Sequence, residues 1–140
     1  MTDETSVVAE WITYTLTTAF ANASGTAPVV YEGIAPVDAV EPYVVFAFVT
    51  APSVNTISGD TVMVRPYVDV QAVCEGGSFS PLTPIATAIQ TALHGKRYQS
   101  TDDGSVFSCT RTDSLRYTEA TGGKVYRHLG ATYRIESQGE

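Results

Sequence analysis

Positive charge is scarce in this chain. Eight Lys and Arg stand against fifteen Asp and Glu, a formal net charge of −7. Sequence-independent grip on nucleic acid requires clustered cations that displace phosphate counterions, so direct DNA or RNA binding is not expected. Cysteine is nearly absent too. Cys74 and Cys109 are too few and too far apart for a disulfide framework, and no CxxC pair occurs. Both read as reduced, strand-borne thiols serving as small core residues. No apolar run approaches the roughly 20 residues that cross a bilayer. The longest, residues 43–49, has the length of a strand. The start, Met-Thr-Asp-Glu, is acidic where a secretory signal is basic. These shortages together imply a soluble protein, made in the cytoplasm, with no membrane partner.

What is present suffices for a folded core. A chain of 140 residues with one Trp, eight Tyr and five Phe reads as one domain, residues 1–140, able to bury a core without metal or disulfide. Charge is split along it. Residues 1–75 hold nine acids and one base, Arg65; residues 76–140 hold seven bases and six acids. Either folding interleaves the halves and the split vanishes, or it leaves a polar surface suited to head-to-tail association.

Hydrophobic periodicity predicts a helix over residues 5–21. Val8, Trp11, Ile12, Leu16, Ala19 and Phe20 recur at three- and four-residue steps, with Thr5 or Ser6 as cap and Asn22 to Gly25 as stop. Val29, Val30 and Tyr31 form a short strand, and residues 43–50 a strand apolar on both faces, hence interior to a sheet. Residues 52–60 read as a polar loop longer than a tight hairpin needs. Residues 62–74 alternate as one half-exposed strand, in which Pro66 implies an edge position or a bulge. Ser80 as cap and Pro81 as first residue open a second helix, with Leu82, Ile85, Ala86, Ile89 and Leu93 as its buried stripe and Gly95 as its left-handed end. His94 there reads as a helix-end cation. Asp102-Asp103-Gly104 is a turn. Residues 105–118 and 125–136 form a hairpin linked through Glu119-Ala120-Thr121-Gly122-Gly123. The fold class is therefore α+β: a mainly antiparallel sheet with two helices packed on one face.

Catalytic motifs are missing. Gly123-Lys124 is followed by Val125 and lacks the upstream glycine of a phosphate loop, and GxGxxG does not occur. Gly76-Gly77-Ser78-Phe79-Ser80 comes nearest to a nucleophile elbow but ends in serine where glycine is required. His94 and His128 have no second ligand at zinc spacing, and Asp102-Asp103-Gly104 lacks the alternating oxygens of a calcium loop. A Cys109–His128 nucleophilic pair, assembled in space, is the one enzymatic reading left open. No cofactor is expected. Binding or assembly remains.

Several segments, in order, resemble the tail-terminator, or tail-completion, proteins of long non-contractile-tailed bacteriophages. They are Val30-Tyr31-Glu32-Gly33-Ile34-Ala35-Pro36, Pro42-Tyr43-Val44-Val45-Phe46, the Ser58-Gly59-Asp60 turn with its alternating strand, Ala92-Leu93-His94-Gly95, and the hairpin bearing Tyr126-Arg127-His128 and Tyr133-Arg134. The resemblance spans roughly residues 7–136 and rests on order and spacing rather than on any one piece. It implies a non-enzymatic virion protein at the tail–neck junction. Copies would form a hexameric ring that caps the tail tube, stops its growth and meets the neck or head-completion protein, with DNA passing through the lumen without specific binding. A ring needs two different patches on each subunit. The axial contacts are expected at Asn55, Thr56, Ile57 and Asp60 in the 52–60 loop and at Glu119 and Lys124 at the tip of the 105–136 hairpin. The lateral contact is expected on the outer sheet face at Arg65, Tyr67 and Asp69. Competing expectations are a head-closure or adaptor protein, a small ligand-binding domain, and the small hydrolase that Cys109 with His128 would make.

Overall fold

The computed structural model describes residues 4–21, 27–55, 57, 61–102 and 104–139. Helix α1 (Glu4–Ala21) carries Val7, Val8, Trp11, Ile12, Leu16 and Phe20 on one side, all buried. The helix already includes Thr5 and Ser6, so neither caps it. The expected stop at residues 22–25 lies outside the described residues.

The sheet is built from two long hairpins. In the first, β2 (Tyr43–Thr50) and β3 (Ser53–Asn55) run antiparallel to β5 (Tyr67–Glu75) and β4 (Thr61–Val64) in nearly constant register, Phe46 opposite Val70 and Ser53 opposite Val64. Residues 53–55, expected in a loop, are thus strand, because each arm continues past a proline break. The Arg65 N–H donates to the Pro52 carbonyl at 2.8 Å across that break. Pro66 lies neither on an edge nor in a bulge. It falls between β4 and β5, where its carbonyl accepts from the Ile135 N–H at 2.9 Å and its ring nitrogen has no hydrogen to return. One missing ladder bond splits the expected strand 62–74 in two.

The second hairpin pairs β7 (Gly104–Thr121) with β8 (Lys124–Gly139). Its strands run three residues beyond the expected end, and the link shrinks to Gly122-Gly123. Their φ angles of 60° and 79° suit the two-residue turn that matches strand twist and requires positive φ at both positions. β8 pairs with β5 and, at Val64–Ser137, with β4 along its other side. Edge strands are β1 (Val30–Glu32), parallel to β2, β3, beyond β4, and β6 (Arg97–Thr101), antiparallel to β7.

Helix α2 (Thr83–Leu93) begins later than expected. Its N-cap is Leu82, with no side-chain cap, and the proline of its first turn is Pro84; Ser80 sits in a preceding turn, its N–H bonded to Ser78 Oγ at 3.1 Å. Gly95 (φ 80°) ends it in the left-handed region as anticipated. Leu82, Ile89 and Leu93 join α1 and the inward face of the sheet (Val44, Phe46, Val68, Val70, Ala72, Tyr133, Ile135) in one core. Both helices therefore cover the same face, as the α+β reading required. Cys74 and Cys109 are free and buried in that core, and burial pushes the Cys109 thiol up to about 12.

Candidate functional site

Cross-strand pairing arranges the uncovered face of the sheet. Arg65, Tyr67 and Asp69 project from the 65–69 segment at two-residue steps and share this face, as expected. Each has a partner on β8. Arg65 Nε donates to Glu136 Oε2 at 3.2 Å, Tyr67 stands opposite Arg134, and Asp69 Oδ1 accepts from Thr132 Oγ1 at 2.6 Å. Arg65 and Asp69 thus bond within the subunit, while the Arg65 side chain remains exposed.

The same face turns aromatic along β8 toward the Gly122-Gly123 turn. Tyr117 stacks on His128 with centroids 4.3 Å apart, Tyr31 meets Tyr43 edge-on, and His128 Nε2 lies 3.3 Å from Glu119 Oε1. Val73 is only 2 % exposed although neither described helix covers this side. His128 and Cys109 cannot act together. Cys109 stands opposite Ile135 among the core side chains, whereas His128 stands opposite Val73 and Tyr117 on the uncovered face, seven positions back along β8. That removes the hydrolase site. His94 stands at the C-terminal end of α2, as expected, and its Nδ1 accepts the Arg111 N–H at 3.0 Å. Ser78 spends its bonds on Ser80. No described helix is long and apolar enough to cross a membrane.

The strand ends that flank the two expected contact loops lie at opposite ends of the sheet. Asn55 ends β3 and Ile57 follows it, both exposed; Thr56 and Asp60 lie outside the described residues. Glu119 and Lys124 sit at the other hairpin's end, where Lys124 Nζ lies 3.9 Å from Glu75 Oε2. Register sets their separation. Val64, beside one tip, pairs with Ser137, while Glu75 pairs with Tyr126 beside the other. The sixteen residues of β8 at about 3.3 Å each put the ends roughly 50 Å apart. The far end is braced on the helix side, where the Arg116 and Arg127 guanidinium groups lie 4.2 and 5.1 Å from the Phe79 ring centroid and Arg127 Nε bonds the Gly76 carbonyl.

Two lateral features escaped sequence reasoning. The connection from β1 to β2 carries Ile34, Val37 and Val40 at 84, 107 and 74 % exposure, beside the exposed acids Glu32, Asp38 and Glu41. Toward the β6 edge lies an open groove of about 690 Å³, lined by Lys96, Arg97, Tyr98, Phe107, Arg134 and Met63 among others. The density of aliphatics in a Pro- and Gly-marked connection was the available signal for the first. The groove gives none, since it joins residues from distant segments.

Comparison with known families places this arrangement. The family model described as Tail completion protein gp17 matches residues 15–135, and the chain belongs to that family of phage tail completion proteins. Its role is accordingly structural, in the tail of the virion. No curated protein matches it.

Proposed function

We propose that this tail completion protein forms a ring, six-membered as the family resemblance implies, that caps the tube of a long non-contractile tail and joins the tail to the head neck. The observation that carries the reading is that the end of the β3–β4 pair and the Gly122-Gly123 end of the other hairpin lie at opposite ends of one continuous sheet. A subunit that stops one polymer and receives a different structure needs two separate contact surfaces held at a fixed spacing. A strand pair braced by a core supplies that spacing better than loops do. One tip, at Asn55 to Asp60, and the other, at Glu119 to Lys124, then meet the tube protein and the neck protein. DNA traverses the lumen without adhering, in keeping with a net charge of −7.

The test is electron microscopy of lysates from a phage whose copy of this gene is inactivated. Overlong tails, or finished tails that fail to join filled heads, are the expected products. Leaking heads beside normal tails would instead assign the chain to the head side of the neck. Deleting either tip separately should block one junction; if tails keep normal length and join heads without that tip, its axial role is excluded.

A further inference from the structure

The lateral contact of the ring was expected at Arg65, Tyr67 and Asp69, of which Arg65 and Asp69 also bond β8 within the subunit. Two surfaces at opposite edges of the sheet match each other. On the β1 side, residues 32–41 expose three aliphatic side chains, Ile34, Val37 and Val40. Three such groups within seven residues are not scattered surface apolars but a patch that water alone leaves unfavourable. Among the described residues, none of the flanking carboxylates, Glu32, Asp38 and Glu41, lies within ion-pair distance of a cation. On the β6 side, the groove holds Lys96, Arg97 and Arg134, none of which has an ion-pair partner among the described residues, against one acid, Glu136, that already pairs with Arg65. Its walls add apolar surface from Phe107, Met63 and Tyr98, the last 81 % exposed.

We propose that the 32–41 connection of one subunit docks into the Lys96–Arg97–Arg134 groove of the next copy, and that this is the contact repeated around the ring. The inference rests on the ring reading above and names the surfaces that close it. Loop and groove lie toward opposite edges of the sheet, so the contact is between unlike patches and propagates by rotation rather than pairing two copies face to face. Unpaired acids meet unpaired bases, and aliphatics meet an apolar wall. A bare anion would satisfy the cations but leave Tyr98, Phe107 and the aliphatic loop in water, so a second copy is the better occupant. The loop leaves β1 level with Phe46, opposite Val70 and hence Ala131, whereas the groove lies level with Arg134 and Glu136. The strands of neighbouring subunits therefore incline to the ring axis.

The experiment supplies variant protein to cells infected with a phage lacking the gene and measures the subunit in purified tails. Asp38→Lys with Glu41→Lys, and separately Lys96→Glu with Arg97→Glu, should each lower incorporation about tenfold or more, and all four changes together should restore it to within about twofold of wild type. These side chains are exposed, so thermal melts of the purified variants should match wild type. If a melt does not, cross-linking decides: Val37→Cys combined with Arg97→Cys, oxidised in tails, should give a ladder of linked subunits that neither single variant gives. Failure of the fourfold variant to recover, absence of a ladder, or loss of incorporation from the groove variant alone overturns the proposal; the last result would assign the groove to DNA or another protein. Absence of the wild-type subunit from tails is a different result and overturns the ring reading itself.

Discussion

Gly130 of β8 lies so close to Val70 of β5 that a Cβ at Gly130 would overlap the Val70 carbonyl oxygen and approach Gln71 Cα to 2.6 Å. The obstacle is backbone at the centre of the sheet, not the movable end of a side chain. Gly130→Ala should therefore destabilise the subunit by about 1–3 kcal/mol or more, as overpacking does. Gly77→Ala, in a turn where nothing lies within 4 Å, should be near neutral. Thermal melts of the two purified variants make the comparison.

Burial should separate two isoleucines. Ile12 is fully buried on α1 and Ile34 is 84 % exposed. Ile12→Ala should cost about 2–5 kcal/mol of subunit stability by leaving a cavity. Ile34→Ala should leave the melt unchanged yet weaken assembly into tails. Denaturant titration together with the tail-incorporation assay reads both effects.

Alkaline pH should loosen the core. Burial raises Cys109 from 9.0 to about 12, and Tyr133 from 10.0 to about 12, the latter with added repulsion from Cys109. Between the unfolded and folded values the native state holds protons that the unfolded chain has released. Stability is then fully present below about pH 9 and declines as pH rises toward about 12. Unfolding free energy measured across that range should fall, and Cys109→Ala should flatten part of the slope while lowering stability at neutral pH. A flat profile for the wild-type chain would contradict the burial of both groups.

The tip of the second hairpin depends on backbone conformation rather than contacts. Gly122 and Gly123 have φ of 60° and 79° with nothing nearby. Gly122→Asn should be tolerated because Asn-Gly suits this turn. Gly123→Val should cost roughly 1–3 kcal/mol, since a β-branched residue resists positive φ. Hydrogen exchange at Glu119 to Val125 should rise in the second variant and stay unchanged in the first.

Much of the architecture was legible because burial periodicity is local. The α1 stripe, the strand over 43–50, the buried positions Val68, Val70, Ala72 and Cys74, and the left-handed Gly95 all follow from spacing within a few residues of chain. The cap of α2 was misread for a local reason too: Pro84, inside the first turn, marks that helix's start more faithfully than Ser80 and Pro81 do. The end-to-end placement of the two hairpin tips was not legible, because it depends on which strands pair.

Residue order alone thus determined that this chain makes two helices and a mainly antiparallel sheet, and that it contains none of the common catalytic signatures. Three-dimensional pairing decided which side chains meet. Arg65 finds Glu136 across 71 positions of sequence, a relation no window of neighbours contains. The register shifts at residues 107 and 112 of β7 act in the same way. Each inserts one residue and reverses the alternation after it, so Val106 and Cys109 both face the core although three positions separate them. Alternation read along the chain places side chains correctly only until the first bulge, and where a bulge falls is set by the strand alongside.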